Sequence, residues 1–187
     1  MTWWFDHHQS AFLTPADEAD FRRSQADVAG TAERKFFDPS YVSCTSLIAD
    51  VAAAKFGFDV KPLAELIKWA DIVDGARYES AKAAVEMAAP AMKLTMVIES
   101  AADHALVPKL IPLLTEMSLQ DVLNRPLVQE LLGPLMERHW AALELIRQRA
   151  TVERGVITFD ITDYPTEGYN KFIPYYLHPE ATNNVGL

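Results

Sequence analysis

The sequence predicts a helix-rich α/β protein: a parallel-sheet domain over residues 1–125, a long linker helix over 126–154 and the start of a small α+β domain over 155–187. Three observations predict it. Short aromatic runs, "TWWF" and "KFF", read as strands that each stop at an aspartate, and helical periodicity governs most of the chain from Pro62 to Arg154. At "RGVITFDITDY" the period then changes from about 3.6 residues to about 2.

Taken in order, "TWWF" fits a buried strand that delivers Asp6, His7 and His8 to its C-terminal end, where open α/β sheets place their ligands. In "TPADEADF", Thr14 as N-cap, Pro15 in the first helical position and acidic residues in the first turn start a short helix or lid in front of that triplet. "KFFDPS" is a second short strand stopped by Asp38-Pro39. "VSCTSLIADVAAAKFG" reads as a helix capped by Ser43 or Thr45, with Leu47, Ile48, Val51, Ala52 and Phe56 on one apolar face and Gly57 at its end. The helical pattern resumes after Pro62, breaks near Gly75 in "DIVDGARY", and continues as short proline-punctuated helices in "APAMKLTMVIES" and "DHALVPKLIPLLTEM". The longest helix spans Pro126 to Arg154, with Val128, Leu131, Leu132, Leu135, Leu143 and Ile146 at helical spacing. Val156, Thr158 and Asp160 then alternate with Ile157, Phe159 and Ile161, a strand with one buried side. "NKFIPYYLHP" reads as a second strand, held to a sheet edge by Pro174, which lacks a donor.

Composition narrows the function classes. A chain of 187 residues, 50% hydrophobic, can bury a sizeable core. Its formal charge of -9 and the lack of a basic cluster argue against binding duplex nucleic acid through its phosphates, while leaving a nucleotide substrate open. One cysteine, Cys44, excludes an internal disulfide and a multi-cysteine zinc site and suggests a reducing compartment, with the cytoplasm as the expected location. No apolar run approaches the roughly 20 residues of a membrane span, so no membrane partner is expected.

Two imidazoles and a carboxylate at a strand end can form a metal or phosphate site, or a solvated polar turn. Successive side chains leave an extended backbone on opposite sides, so the expected division is one imidazole for a metal and the other for an oxyanion. A hard ion such as Mn²⁺ or Mg²⁺ needs further carboxylates, and Asp71 and Asp74 in "WADIVDG" are the candidates. The start of the "SCTS" helix offers free N–H groups and the hydroxyls of Ser43 and Thr45 to a phosphate, although both residues are most simply caps.

"WWFDHHQSAF", the later "YVSCTSLIADVAAAKFG" and then "WADIVDGARY" together resemble the DHH phosphoesterases, a superfamily of exopolyphosphatases, family II inorganic pyrophosphatases, single-strand exonucleases and oligoribonucleases or cyclic-dinucleotide phosphodiesterases. The resemblance covers most of the chain. It implies two divalent ions, Mn²⁺ or Mg²⁺, held by aspartates and histidines and activating a bridging water for in-line attack on phosphorus. It further implies His7 as a metal ligand, His8 as the group facing phosphate, Asp6 as an orienting or catalytic support, and Asp71, with Asp74 second, as the later metal-bridging aspartate. The implied partner is a small phosphate-containing substrate: polyphosphate, pyrophosphate or a short oligo- or cyclic nucleotide. A second copy of the chain, forming a homodimer, is a further candidate. The family carries Asp motifs ahead of the triplet and a glycine-rich motif near its C-terminus, which are not found here, so the expectation is a partial two-metal site with weak hydrolysis by this chain alone. The alternative is an inactive remnant of the same fold serving as a binding or interaction module.

The other candidates, His178 apart, read as structural. His104 and His139 fall inside helical patterns, the four tryptophans suit a core, and Cys44 has no group placed to activate it; His178, after the last apolar run, suits either an exposed sheet edge or the substrate-facing side of the second lobe.

Overall fold

The computed structural model describes residues 3–26, 34–101, 105–164 and 168–187. His104 lies outside them. The fold is mixed α/β and rich in helix, as the sequence predicts, and the chain divides into two compact units, Met1–Arg77 and Tyr78–Leu187. This division by contact falls elsewhere than the boundaries read from sequence, and the long helix lies inside the second unit.

The first unit is built on two parallel strands, β1 (Trp4–Asp6) and β2 (Lys35–Phe37), in the register Trp4 to Lys35, Phe5 to Phe36 and Asp6 to Phe37. A parallel pair needs a long crossover, and here it carries helix α1 (Pro15–Ala26). α1 starts as expected: the Asp17 N–H donates to Thr14 Oγ1 at 3.2 Å, and the Asp17 carboxylate accepts from the Thr14 N–H and hydroxyl at 2.9 and 2.8 Å. The strands' alternation sorts their aromatic side chains. Trp4 and Phe37 gather with Phe12 and Phe21 on the α1 side, while Phe5 stacks on Phe36, ring centroids 5.0 Å apart, on the other.

On that other side lie α2 (Cys44–Phe56) and α3 (Ala64–Asp74). Ser43 caps α2, its Oγ accepting the Ser46 N–H, and Gly57 ends it at φ 64° with its own N–H and that of Phe58 turned back onto Ala53 and Ala52. The apolar face differs from the expected one. Leu47 and Ala49 are buried, whereas Ile48 and Phe56 are 43% and 52% exposed, because α2 rests on β1 and α3 along the Leu47 side and Phe56 only meets the edge of Trp3 at the rim.

The second unit holds six helices, α4 (Ala81–Glu86), α5 (Pro90–Ser100), α6 (Leu106–Glu116), α7 (Leu119–Leu123), α8 (Pro126–Arg149) and α9 (Ile173–Leu177), among its described residues. Its sheet has the order β3 (Thr151–Glu153), β4 (Val156–Phe159), β5 (Asn183–Gly186), with β3 antiparallel and β5 parallel to β4. Ile157, Phe159 and Ile161 are buried against Val85, Leu143, Ile146 and Ile173, as the period-two pattern requires.

Two expectations are corrected. α8 stops at Arg149, not Arg154, because Arg154 and Gly155, at φ 51° and 80°, form a two-residue left-handed turn that needs a strand on each side. "NKFIPYYLHP" is not a strand: Asn170 Oδ1 accepts the Phe172 N–H, and Pro174 enters the first turn of α9, where its missing N–H costs nothing. The strand that joins β4 is β5, from "NNVG". Among the described residues no helix is long and apolar enough to cross a membrane.

Candidate functional site

β1 ends at Asp6, and the residues immediately after it form the one group of candidate metal donors found among the described residues: Asp6, His7 and His8, with donor atoms all within 4.8 Å of one another. The expected divergence of the two imidazoles does not occur. Their ring centroids are 4.2 Å apart, because regular strand geometry stops at Asp6 and His8 folds back over it. The Asp6 carboxylate accepts both the His8 backbone N–H at 2.9 Å and the His8 ring at Nδ1, 2.8 Å away.

These contacts fix protonation. The His8 N–H, followed by the His8 ring, holds the Asp6 carboxyl below its ordinary value against an opposing push from burial. An ionised Asp6 only accepts, so His8 Nδ1 carries a proton and the other ring nitrogen, Nε2, is turned to whatever approaches a side chain that is 64% exposed. His7 is the opposite case, with 10% of its side chain exposed. Its Nε2 faces Asp74 Oδ2 at 3.4 Å, and its Nδ1 is buried with no hydrogen-bond partner among the described residues. An unsatisfied buried ring nitrogen is costly, about 1–3 kcal/mol.

Asp74 closes α3, and Asp71, three residues earlier, shares its helix face. The structure brings Asp74 to His7 and takes Asp71 elsewhere: Asp71 Oδ1 accepts the hydroxyls of Ser43 and Ser46, each at 2.6 Å. Ser43 is 1% exposed, so its hydroxyl is committed to the cap and to Asp71. Thr45, in the first turn of α2, has no such partner among the described residues. Cys44 Sγ donates to the Phe5 carbonyl at 3.6 Å, and burial, then the Asp6 and Asp74 carboxylates, raise its thiol above the usual value. A protonated thiol is not a nucleophile.

Sequence reasoning did not single out Ser46. The signal was present, since Ser43 and Ser46 are three apart at a helix start and face the same way.

The two imidazoles and the carboxylate of Asp6, His7 and His8 are a donor set that fits a divalent ion of the Mn²⁺ kind, and Asp74 adds a second carboxylate on the Nε2 side of His7, 3.4 Å away. No family model matches the chain, and no curated protein matches it significantly. Among solved structures, the chain is similar to the pGpG-specific phosphodiesterase PggH from Vibrio cholerae, at a TM-score of 0.71 and 18% sequence identity over 83% of this chain. The match spans 55% of that structure, about half of its length. At this identity the likeness is one of fold, and it gives this helix-rich α/β chain a solved counterpart among phosphodiesterases.

Proposed function

We propose that the chain contributes a divalent-metal site to the hydrolysis of a phosphoester or phosphoanhydride in a small phosphate-containing substrate. The observation that carries this reading is the donor group Asp6, His7 and His8 at a strand end, with Asp74 facing the buried His7. The resemblance of "DHH" and its later motifs to phosphoesterases supports it, as does the fold shared with a phosphodiesterase. A linear dinucleotide such as pGpG therefore joins pyrophosphate and polyphosphate as a substrate to try.

His7 and Asp74 would hold the ion, which when bound supplies Lewis acidity and makes water a better nucleophile at neutral pH. The remaining work falls to the chain. His8, its Nδ1 proton engaged by Asp6, presents Nε2 to a phosphate oxygen and in its protonated form donates to it. Thr45 and the unpaired N–H groups of the first turn of α2 add donors for the same phosphate. The described residues form one donor group, whereas an in-line displacement clamped by two ions uses two, so hydrolysis by these residues alone is weak.

The test is Mn²⁺ titration by calorimetry on the wild type and on His7→Ala. Binding tighter than about millimolar, some 4 kcal/mol, that disappears in the variant is expected. Equal heat from both proteins, or none from either, would overturn the metal role. Phosphate release from pyrophosphate, polyphosphate and pGpG, measured against a metal-free blank, then separates slow hydrolysis from a binding module without turnover.

A further inference from the structure

With Asp74 against His7, the other carboxylate on the same face of α3 needs an account. We propose that Asp71 is a positioning residue: with Ser43 and Ser46 it locks the end of α3 to the start of α2, and this lock sets Asp74 against His7. The inference rests on the metal reading of the site above.

Three features carry it. First, both serine hydroxyls converge on one oxygen, Asp71 Oδ1, at 2.6 Å, the short range of charge-assisted O–H···O⁻ bonds. Ser43 Oγ also accepts the Ser46 N–H at 3.1 Å, so its single proton is available for Asp71 and its lone pair for the cap. At 1% exposure it has no water to turn to, and without Asp71 its proton is left with the long 3.4 Å contact to Ser46 Oγ as its acceptor. Second, the backbone is pressed together at the same place. A Cβ on Gly75 would lie 2.6 Å from Val42 Cγ1, so the residue after α3 reaches the residue before the α2 cap only because it is glycine. Third, the lock is wired to the ligands. Asp71 and Asp74 are three apart on a helix, so holding α3 at Asp71 also holds the backbone from which Asp74 reaches His7. α2 packs on β1, the strand that leads into His7.

The lock and a ligand role for Asp71 predict opposite results in one substitution. Asp71→Asn keeps an oxygen to accept both hydroxyls, while a carboxamide is a poor substitute for a carboxylate on a metal ion. In Mn²⁺ calorimetry on the full chain, Asp71→Asn is expected to stay within about threefold of wild type, whereas Asp71→Ala weakens binding about 10–100-fold, the usual effect of removing a residue that orients a ligand. Ser46→Ala shifts affinity in the same direction with Asp71 intact, and it carries the test if Asp71→Ala does not fold. Loss of binding in Asp71→Asn as complete as in His7→Ala, with Ser46→Ala unaffected, would make Asp71 a ligand and overturn the proposal. A readout without metal keeps the two readings apart. The ¹⁵N signal of His7 Nε2 in the metal-free chain should move in Asp71→Ala and Ser46→Ala and stay in place in Asp71→Asn. An unmoved signal in all three variants defeats the lock even if Mn²⁺ binds. A wild type that binds no Mn²⁺ defeats the metal reading, and the His7 signal still decides the lock.

Discussion

His139 shows what burial does to an imidazole away from the candidate site. It is 6% exposed on α8, and its Nε2 lies 2.9 Å from the Val85 carbonyl, which can only accept, so Nε2 carries the proton. Burial is the larger influence and pushes its pKa below the ordinary value of 6.5, against the Val85 bond, which raises it. The folded state therefore favours the neutral ring, while the unfolded chain takes up a proton below that value. Stability from this group is fully present above about pH 6.5 and is lost as pH falls from there through the folded pKa. Urea unfolding of wild type and His139→Gln between pH 7.5 and 5, where Gln keeps an N–H donor, is expected to show a steeper decline in the wild type. Parallel curves would remove His139 from the account. At this scale the sequence was half legible. The helical pattern around His139 marked it as structural, and "DHH" marked a site, but no local signal says that His7 meets Asp74 or that His8 folds back on Asp6. The first depends on how α3 packs, the second on the strand stopping one residue before His7.

Among the elements, starts and stops were read well where a side chain or a φ angle enforces them. Thr14, Ser43 and Gly57 stand where the expected caps are, because each satisfies backbone groups its helix leaves open. The failures share a cause, a local pattern too weak to choose between helix and strand: "NKFIPYYLHP" is apolar enough for either, "ATVER" after Arg149 carries little apolar period at all, and the bond from Asn170 and the turn at Arg154 and Gly155 settle them. The cap at Gly57 can be tested directly. A Cβ there meets nothing within 4 Å, so Gly57→Ala brings no clash, only the cost of a side chain at φ 64°, about 1 kcal/mol. Denaturant unfolding should report a loss of that size with an unchanged slope. No loss would mean that α2 can end without the left-handed residue.

In the whole molecule, the two units are unequal in how they are held. Between Met1 and Arg77 the buried apolar residues among those described are Phe36, Leu47 and Ala49, with half-buried aromatic rings and half-buried aliphatic side chains of α2 and α3 around them. Between Tyr78 and Leu187, α5, α6, α7, α8, α9 and the sheet bury many more, including Val97, Leu110, Val122, Val128, Ile146, Ile157 and Ile173. At about 25 cal/mol per Å² of apolar surface removed from water, that difference makes the second unit the more stable. A ligand that binds only the folded first unit adds stability there, about 2.7 kcal/mol at a concentration one hundred times its dissociation constant. Amide hydrogen exchange on the full chain should therefore find the slowest amides in α5, α8 and β4 without metal. Adding Mn²⁺ should slow exchange about a hundredfold for the most protected amides of β1, α2 and α3, and leave those of α8 and β4 nearly unchanged. The contrast follows from the position of the candidate donors: Asp6, His7, His8 and Asp74 all belong to the first unit, so an ion held by them would add stability there. Protection gained equally along the whole chain would instead show that the two units unfold as one.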